Sequence, residues 1–181
     1  NKYTQTQGMA ELRELLAAAC KTELGWRDDR PVLITSGVSG ALMLAILTLV
    51  NPGDEVVYAD PYFVMYCHLV SLVGGVNVPV DTYPDFRPDL QKFADALTDR
   101  TRLLIINSPA NPTGATWSRQ ELSDIAQIAA RRDLLIVSDE IYNFFCYDQP
   151  FVSLAGLYEN TLLMRGFSKS YAMTGWRLGW C

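Results

Sequence analysis

The sequence predicts an α/β protein of three layers, with a mostly parallel central sheet covered by helices on both faces. Two observations predict it. Runs such as Leu103-Leu104-Ile105-Ile106 and Leu134-Leu135-Ile136-Val137 are apolar at every position, so both faces of these strands must be buried. Longer segments with apolar residues at helical spacing alternate with them, which is the pattern of a sheet joined by crossover helices.

Each element has its own signal. Leu12, Leu15, Leu16 and Ala19 give residues 9–24 one apolar helical face. Residues 32–35 are a short strand that runs into Ser36-Gly37-Val38-Ser39-Gly40. A strongly apolar helix over 39–50 is stopped by Asn51-Pro52-Gly53-Asp54. The next strand, 55–59, is broken by Asp60-Pro61 ahead of a helix over about 63–73. A strand over 76–80 and a short helix over 90–97 follow. Strand 103–107 leads into a loop from Ser108 to Thr116. Ser118, with Glu121 three residues on, forms a capping box for a helix whose Leu122, Ile125, Ala126 and Ala129 face inward. Strands over 134–137, 161–164 and 177–180 complete the sheet.

Composition narrows the function. A formal net charge of −5, with no interleaving of basic and aromatic residues, argues against a nucleic-acid surface. The longest apolar run, residues 41–50, is far too short to cross a membrane. Four cysteines without a C-x-x-C pair, and a single histidine, His68, make a structural zinc site improbable. The cysteines sit in apolar surroundings and suit a reducing compartment, the cytoplasm. The chain lacks an initiator Met and stops at Leu178-Gly179-Trp180-Cys181 inside an apolar strand. It reads as one domain, residues 1–181, of a longer protein.

In open parallel sheets, ligands bind beyond the carboxyl ends of the strands. Those ends hold Gly37-Val38-Ser39, Asp60-Pro61-Tyr62-Phe63, Asn107 to Gly114, Asp139-Glu140-Ile141-Tyr142 and Gly166-Phe167-Ser168-Lys169. Free N–H groups at Gly37, Val38 and Ser39 favour a phosphate, although a tight turn with Ser39 as helix cap reads the same. Asp139 ends a buried strand and needs a partner. A loop cap would serve, and so would a protonated pyridine nitrogen. Tyr142 lies one turn on, as a ligand contact or a packing residue. Lys169 is either a solvated surface charge or, in a partly desolvated pocket, a Schiff-base former. Arg177 is either a phosphate clamp or a surface ion-pair partner.

Taken in order, these segments resemble the class I and II aminotransferases of pyridoxal-phosphate fold-type I. The likeness rests on Asn107-Ser108-Pro109-Ala110-Asn111-Pro112-Thr113-Gly114, on Ser138-Asp139-Glu140-Ile141-Tyr142, and on the stretch from Ser168-Lys169-Ser170-Tyr171 through Gly175-Trp176-Arg177-Leu178-Gly179. It runs from Tyr3 to Trp180. The resemblance implies pyridoxal 5′-phosphate as cofactor, and amino-acid and 2-oxo-acid substrates. Lys169 would form the internal aldimine and shuttle the substrate proton. Asp139 would pair with the ring nitrogen, Asn111 and Tyr142 would bond the phenolic oxygen, and Phe63 would stack on the ring. The phosphate would lie against Gly37, Val38 and Ser39, beside Ser168 and Arg177. Tyr3 would reach the phosphate of a neighbouring subunit, which implies a homodimer.

The chain departs from the family pattern at Gly166, where many relatives carry a serine that adds a phosphate hydroxyl. The arginine that binds the substrate carboxylate in relatives belongs to a small domain outside these residues, so the 181 residues alone are expected not to transaminate. A serine hydrolase reading of Gly37-Val38-Ser39-Gly40-Ala41 is poor, because the nucleophile motif ends in Ala41 and the single histidine, His68, comes before every plausible triad acid except Asp54 and Asp60. A ligand-sensing domain of a transcription regulator and a carbon–sulfur lyase share the same scaffold and stay open.

Overall fold

A computed structural model describes residues 3–26 and 30–181. Its helices are α1 (Ala10–Leu24), α2 (Gly37–Leu49), α3 (Met65–Leu72), α4 (Leu90–Asp95) and α5 (Arg119–Ala130). Its strands are β1 (Ile34–Ser36), β2 (Glu55–Asp60), β3 (Val76–Asp81), β4 (Thr101–Asn107), β5 (Leu135–Asp139), β6 (Thr161–Gly166) and β7 (Leu178–Trp180). Every expected element is present. Some boundaries move for local reasons. Leu33 exchanges both backbone bonds with Cys181, beyond the start of β1. Arg177 takes a left-handed conformation with φ 50°, so β7 starts one residue after it. At α5 the capping box forms as read, with Ser118 and Glu121 bonding reciprocally.

The sheet runs β1-β7-β6-β5-β4-β2-β3. Strands β3, β2, β4, β5 and β6 are parallel, whereas β7 pairs antiparallel with both β6 and β1. Strand alternation sends neighbouring side chains to opposite faces. Leu103, Ile105 and Val137 pack with α2 and α3 on the front, and Leu104, Ile106 and Ile136 pack with α4 and α5 on the back. Helix α1 covers the far end of the back face, where Cys20 meets Leu163 and Trp180. This is the three-layer arrangement that the doubly apolar strands require.

The order β3-β2-β4 records a reversal. After β2 the chain adds β3 on one side, then crosses to add β4, β5 and β6 on the other. At such a switch point the crossover connections diverge and leave a crevice at the carboxyl ends of the strands. The last front-facing residues of β4 and β5, Asn107 and Asp139, stand opposite each other in register there.

Candidate active site

A cavity of about 270 Å³ opens at this crevice. Val38 and Ser39 from α2, Phe63 ahead of α3, Asn111, Asp139 and Tyr142 line it, and Ser168, Lys169 and Arg177 close the other side. Nine of the sequence-predicted residues thus meet around one space. Two do not line it. Gly37 forms the wall behind Arg177, and Tyr3 is fully exposed in the chain's amino-terminal arm.

One end of the cavity suits an anion. Helix α2 starts at Gly37 rather than at Ser39, and the residue before it, Ser36, makes no side-chain cap bond. Ser39 is therefore in the first turn and is not the cap. The uncapped N–H groups and the helix dipole face the cavity beside the hydroxyl-bearing Ser39 and Ser168. The Arg177 guanidinium closes on this turn and is steadied by donating to the Thr174 carbonyl at 3.0 Å. Gly37 has φ +70°, a backbone conformation that favours glycine, and a Cβ there would stand 2.7 Å from Arg177 Nη2, so the guanidinium would have to shift away from the turn.

The other end holds a buried carboxylate. Asp139 is 3% exposed and makes no ion pair among the described residues. Tyr66 donates its phenol to Oδ2 at 2.7 Å, and the Ile141 N–H donates to Oδ1 at 3.3 Å. Burial pushes the carboxyl up to about 6, against the downward pull of the Tyr66 and Ile141 hydrogen bonds. Asn107 holds the backbone on both sides. Its amide donates to the Asp139 carbonyl at 2.9 Å, and its oxygen accepts from the Asn111 N–H at 2.7 Å.

Lys169 stands between these ends. Its Nζ lies 5.5 Å from the centre of the Tyr142 ring, and the side chain is exposed in this chain rather than partly desolvated. A second, wider cavity of about 640 Å³ lies on its far side, shares Asn111, Tyr142, Ser168 and Lys169, and adds Pro109, Phe145 and Tyr147. Sequence reasoning missed Tyr66 and gave no individual role to Asn107 or Thr174, although both lie in the segments that carry the resemblance. Tyr66 had one available signal, since it follows Phe63 by three residues and so shares its helical face.

The donor set fits pyridoxal phosphate. Serine hydroxyls, free N–H groups and a guanidinium suit a phosphate, a primary amine suits an aldehyde, and a carboxylate without a cation suits a protonated ring nitrogen. Among the described residues no three His, Cys, Asp or Glu side chains gather as a metal site.

Comparison with known proteins agrees with this geometry. The family described as aminotransferase class I and II matches residues 1–181. Aromatic-amino-acid aminotransferase 2 of Thermococcus litoralis is 40% identical over 185 residues, covering 98% of this chain and 48% of the relative. Among solved structures, a tetra mutant of Thermus thermophilus aspartate aminotransferase superposes with a TM-score of 0.95 at 40% identity, over 99% of this chain and 50% of its own. N-succinyldiaminopimelate aminotransferase from Mycobacterium tuberculosis gives a TM-score of 0.94 at 38% identity, over 99% and 49%. The chain spans about half the length of the relatives it matches.

Proposed function

Because this chain belongs to the aminotransferase class I and II family, we propose that the protein containing it binds pyridoxal 5′-phosphate in this cavity and moves an amino group between an amino acid and a 2-oxo acid. The observation that carries the reading is Asp139: a buried carboxylate with no ion pair among the described residues, in one cavity with an anion-suited helix start and a lysine amine.

When bound, the cofactor supplies a carbonyl that captures amines and a conjugated ring that accepts electrons from the substrate's Cα. The chain's own residues do the rest. Asp139 holds the proton on the ring nitrogen, and its raised carboxyl is brought back to the ionised form by that positive partner. Asn111 and Tyr142, which line the cavity, would bond the phenolic oxygen, and Phe63 would cover one ring face. Ser39, Ser168, Arg177 and the N–H groups at Gly37, Val38 and Ser39 anchor the phosphate, which fixes the ring relative to Lys169. Lys169 Nζ would hold the cofactor's carbonyl carbon covalently and, as a free amine, would be the base that takes the proton from the substrate's Cα.

In this reading residues 1–181 are the cofactor-binding domain, and the group that grips the substrate carboxylate lies elsewhere in the protein. Tyr3, exposed and not among the residues that line the cavity of its own chain, would serve a second subunit, so the active form is a homodimer. Four cysteines without a disulfide suit the cytoplasm.

The test is borohydride reduction of the cofactor-loaded full-length protein, followed by peptide mapping. The pyridoxyl group is expected on Lys169, and a label on another lysine would overturn the assignment. A separate, unreduced sample incubated with a panel of amino acids should release 2-oxo acids without ammonia, the amino group staying on the cofactor until a second 2-oxo acid takes it. Ammonia release from cysteine conjugates, with no amino transfer, would replace the aminotransferase reading with lyase chemistry.

A further inference from the structure

We propose that Tyr66 is a positioning residue of this site, whose buried phenol holds the Asp139 carboxylate ionised and aimed at the cofactor's ring nitrogen. The inference rests on the functional reading above and names a residue that the reading does not need.

Asp139 has two oxygens and few partners. The Ile141 N–H reaches Oδ1 at 3.3 Å, a long bond, and Asn107 holds the backbone carbonyl rather than the carboxylate. The phenol of Tyr66, at 2.7 Å, is the one short bond that the carboxylate receives among the described residues. The other ionisable groups near this face are Tyr58, whose hydroxyl donates to Asn77, and Tyr142, Lys169 and Arg177, which line the cavity; none of them bonds Asp139. Glu140 and Arg165 point to the opposite face and bond each other.

The chemistry of the donor matters. An ammonium or guanidinium at this position would neutralise Asp139 and compete with the ring nitrogen for it. A phenol stabilises the carboxylate through a charge-assisted hydrogen bond and leaves its full negative charge for the ligand. Burial and the adjacent carboxylate push the Tyr66 phenol well above its ordinary range, so it remains a donor at every working pH.

Packing fixes where that donor points. Tyr66 is 2% exposed. Phe63 meets its ring edge-on, with centroids 5.7 Å apart, and Tyr58 lies 6.0 Å away on β2. Phe63 also lines the cavity. The residue proposed to cover the ring and the residue that orients its nitrogen partner are thus three apart in the chain and in contact. A shift of α3 would move both together.

If Tyr66 were only a core aromatic, phenylalanine would replace it at no cost to ligand binding. The experiment compares full-length wild type, Tyr66→Phe, Asp139→Asn and the double variant. Each is titrated with pyridoxal phosphate from pH 5 to 8, and the bound cofactor's ring nitrogen is followed by ¹⁵N NMR. Tyr66→Phe is expected to bind roughly ten-fold more weakly, as loss of one hydrogen bond to a charged group implies. The pH at which its affinity falls should rise, and the ring nitrogen should lose its proton at lower pH than in wild type. In the Asp139→Asn background the same substitution should change affinity by less than two-fold, since Tyr66 acts through Asp139. Equal binding and equal pH profiles in wild type and Tyr66→Phe would overturn the proposal. So would an equal loss in both backgrounds, which marks a packing effect. Failure of wild type itself to bind pyridoxal phosphate would overturn the functional reading, and this proposal with it.

Discussion

Asp139 and Glu140 are neighbours in sequence, both carboxylates and both almost fully buried, yet the molecule treats them in opposite ways. Strand alternation sends them to opposite faces of the sheet. On the back, Glu140 is saturated. Arg165 donates to Oε2 through Nε at 3.0 Å and Nη2 at 2.9 Å, while Ser138, Ser153 and the Leu154 N–H all donate to Oε1. Arg165 also bonds Glu23 of α1 through two nitrogens, so the cluster ties β6, α1 and the chain after β5 together. On the front, Asp139 has one phenol, one long backbone bond and no cation among the described residues. Burial raises both carboxyls, but only Glu140 has a guanidinium to oppose it. A carboxylate completed by the protein is part of the scaffold. One left incomplete is a place for a ligand.

The largest effect is expected on the back. Glu140→Ala leaves Arg165 buried with half its partners, and breaking a buried ion pair from one side costs about 3–5 kcal/mol. Denaturant unfolding of the full-length protein should show that loss, and a loss below about 1 kcal/mol would mean that the cluster is not the anchor described here. The front behaves inversely. Asp139→Asn removes a costly buried charge, so stability is expected to hold or rise, while turnover falls by ~10²–10³, as for loss of a transition-state electrostatic contact. Near-normal turnover would make Asp139 a structural residue and would erase the contrast.

Much of this was legible in the chain, for reasons that differ by residue. The doubly apolar runs around Leu103 and Leu134 reveal central strands because no half-exposed strand could carry them. The Ser118 and Glu121 pair marks a helix start because both partners of its hydrogen bonds are local. Asp139, Lys169 and Asn111 stand out through the motifs around them. Tyr66 does not, and although Asn107 opens one of those motifs its particular role is hidden too, since both roles depend on which faces meet across 73 and 32 residues of chain. The antiparallel setting of β7 was equally hidden, because an apolar run has the same appearance in either direction. The Glu23, Arg165 and Glu140 cluster joins three segments whose charges look like ordinary surface residues in sequence.

A smaller effect concerns acidity. The Asp139 carboxyl rises from the ordinary 3.8 to about 6 in the folded chain without ligand. The folded state therefore binds this proton more tightly than the unfolded state does. Its contribution to stability is complete below the ordinary carboxyl value and is lost as pH rises towards about 6. Measured as wild type minus Asp139→Asn, the cofactor-free protein should lose stability over that window. Saturating pyridoxal phosphate should flatten the difference, because a positive ring nitrogen keeps the carboxylate ionised. Parallel curves for wild type and variant would show that Asp139 has no such shift and that the front is as well compensated as the back.

The smallest expected effect separates the two faces from stability in general. If cofactor affinity merely tracked the firmness of the fold, any loss on the back face would weaken the site. Ser118→Ala tests this on α5, which packs against the back of the sheet through Leu122, Ile125 and Ala129. The substitution removes the hydroxyl that bonds the Glu121 N–H at 3.3 Å and the Glu121 carboxylate at 2.6 Å. Glu121 keeps the Ser118 N–H and the Arg87 guanidinium, each within 2.7 Å, so no charge is left without a partner. The cost should be about 1 kcal/mol, the usual value of a lost cap. Pyridoxal phosphate affinity should stay within two-fold of wild type, because the cavity residues come from α2, from the last residues of β4 and β5 and from the segments beyond the strand ends, and none comes from α5. A parallel drop in affinity would mean that the site senses global stability. The front and back of β5 would then have to be treated as one coupled unit, and the effect of Glu140→Ala on binding could no longer be attributed to the ion cluster.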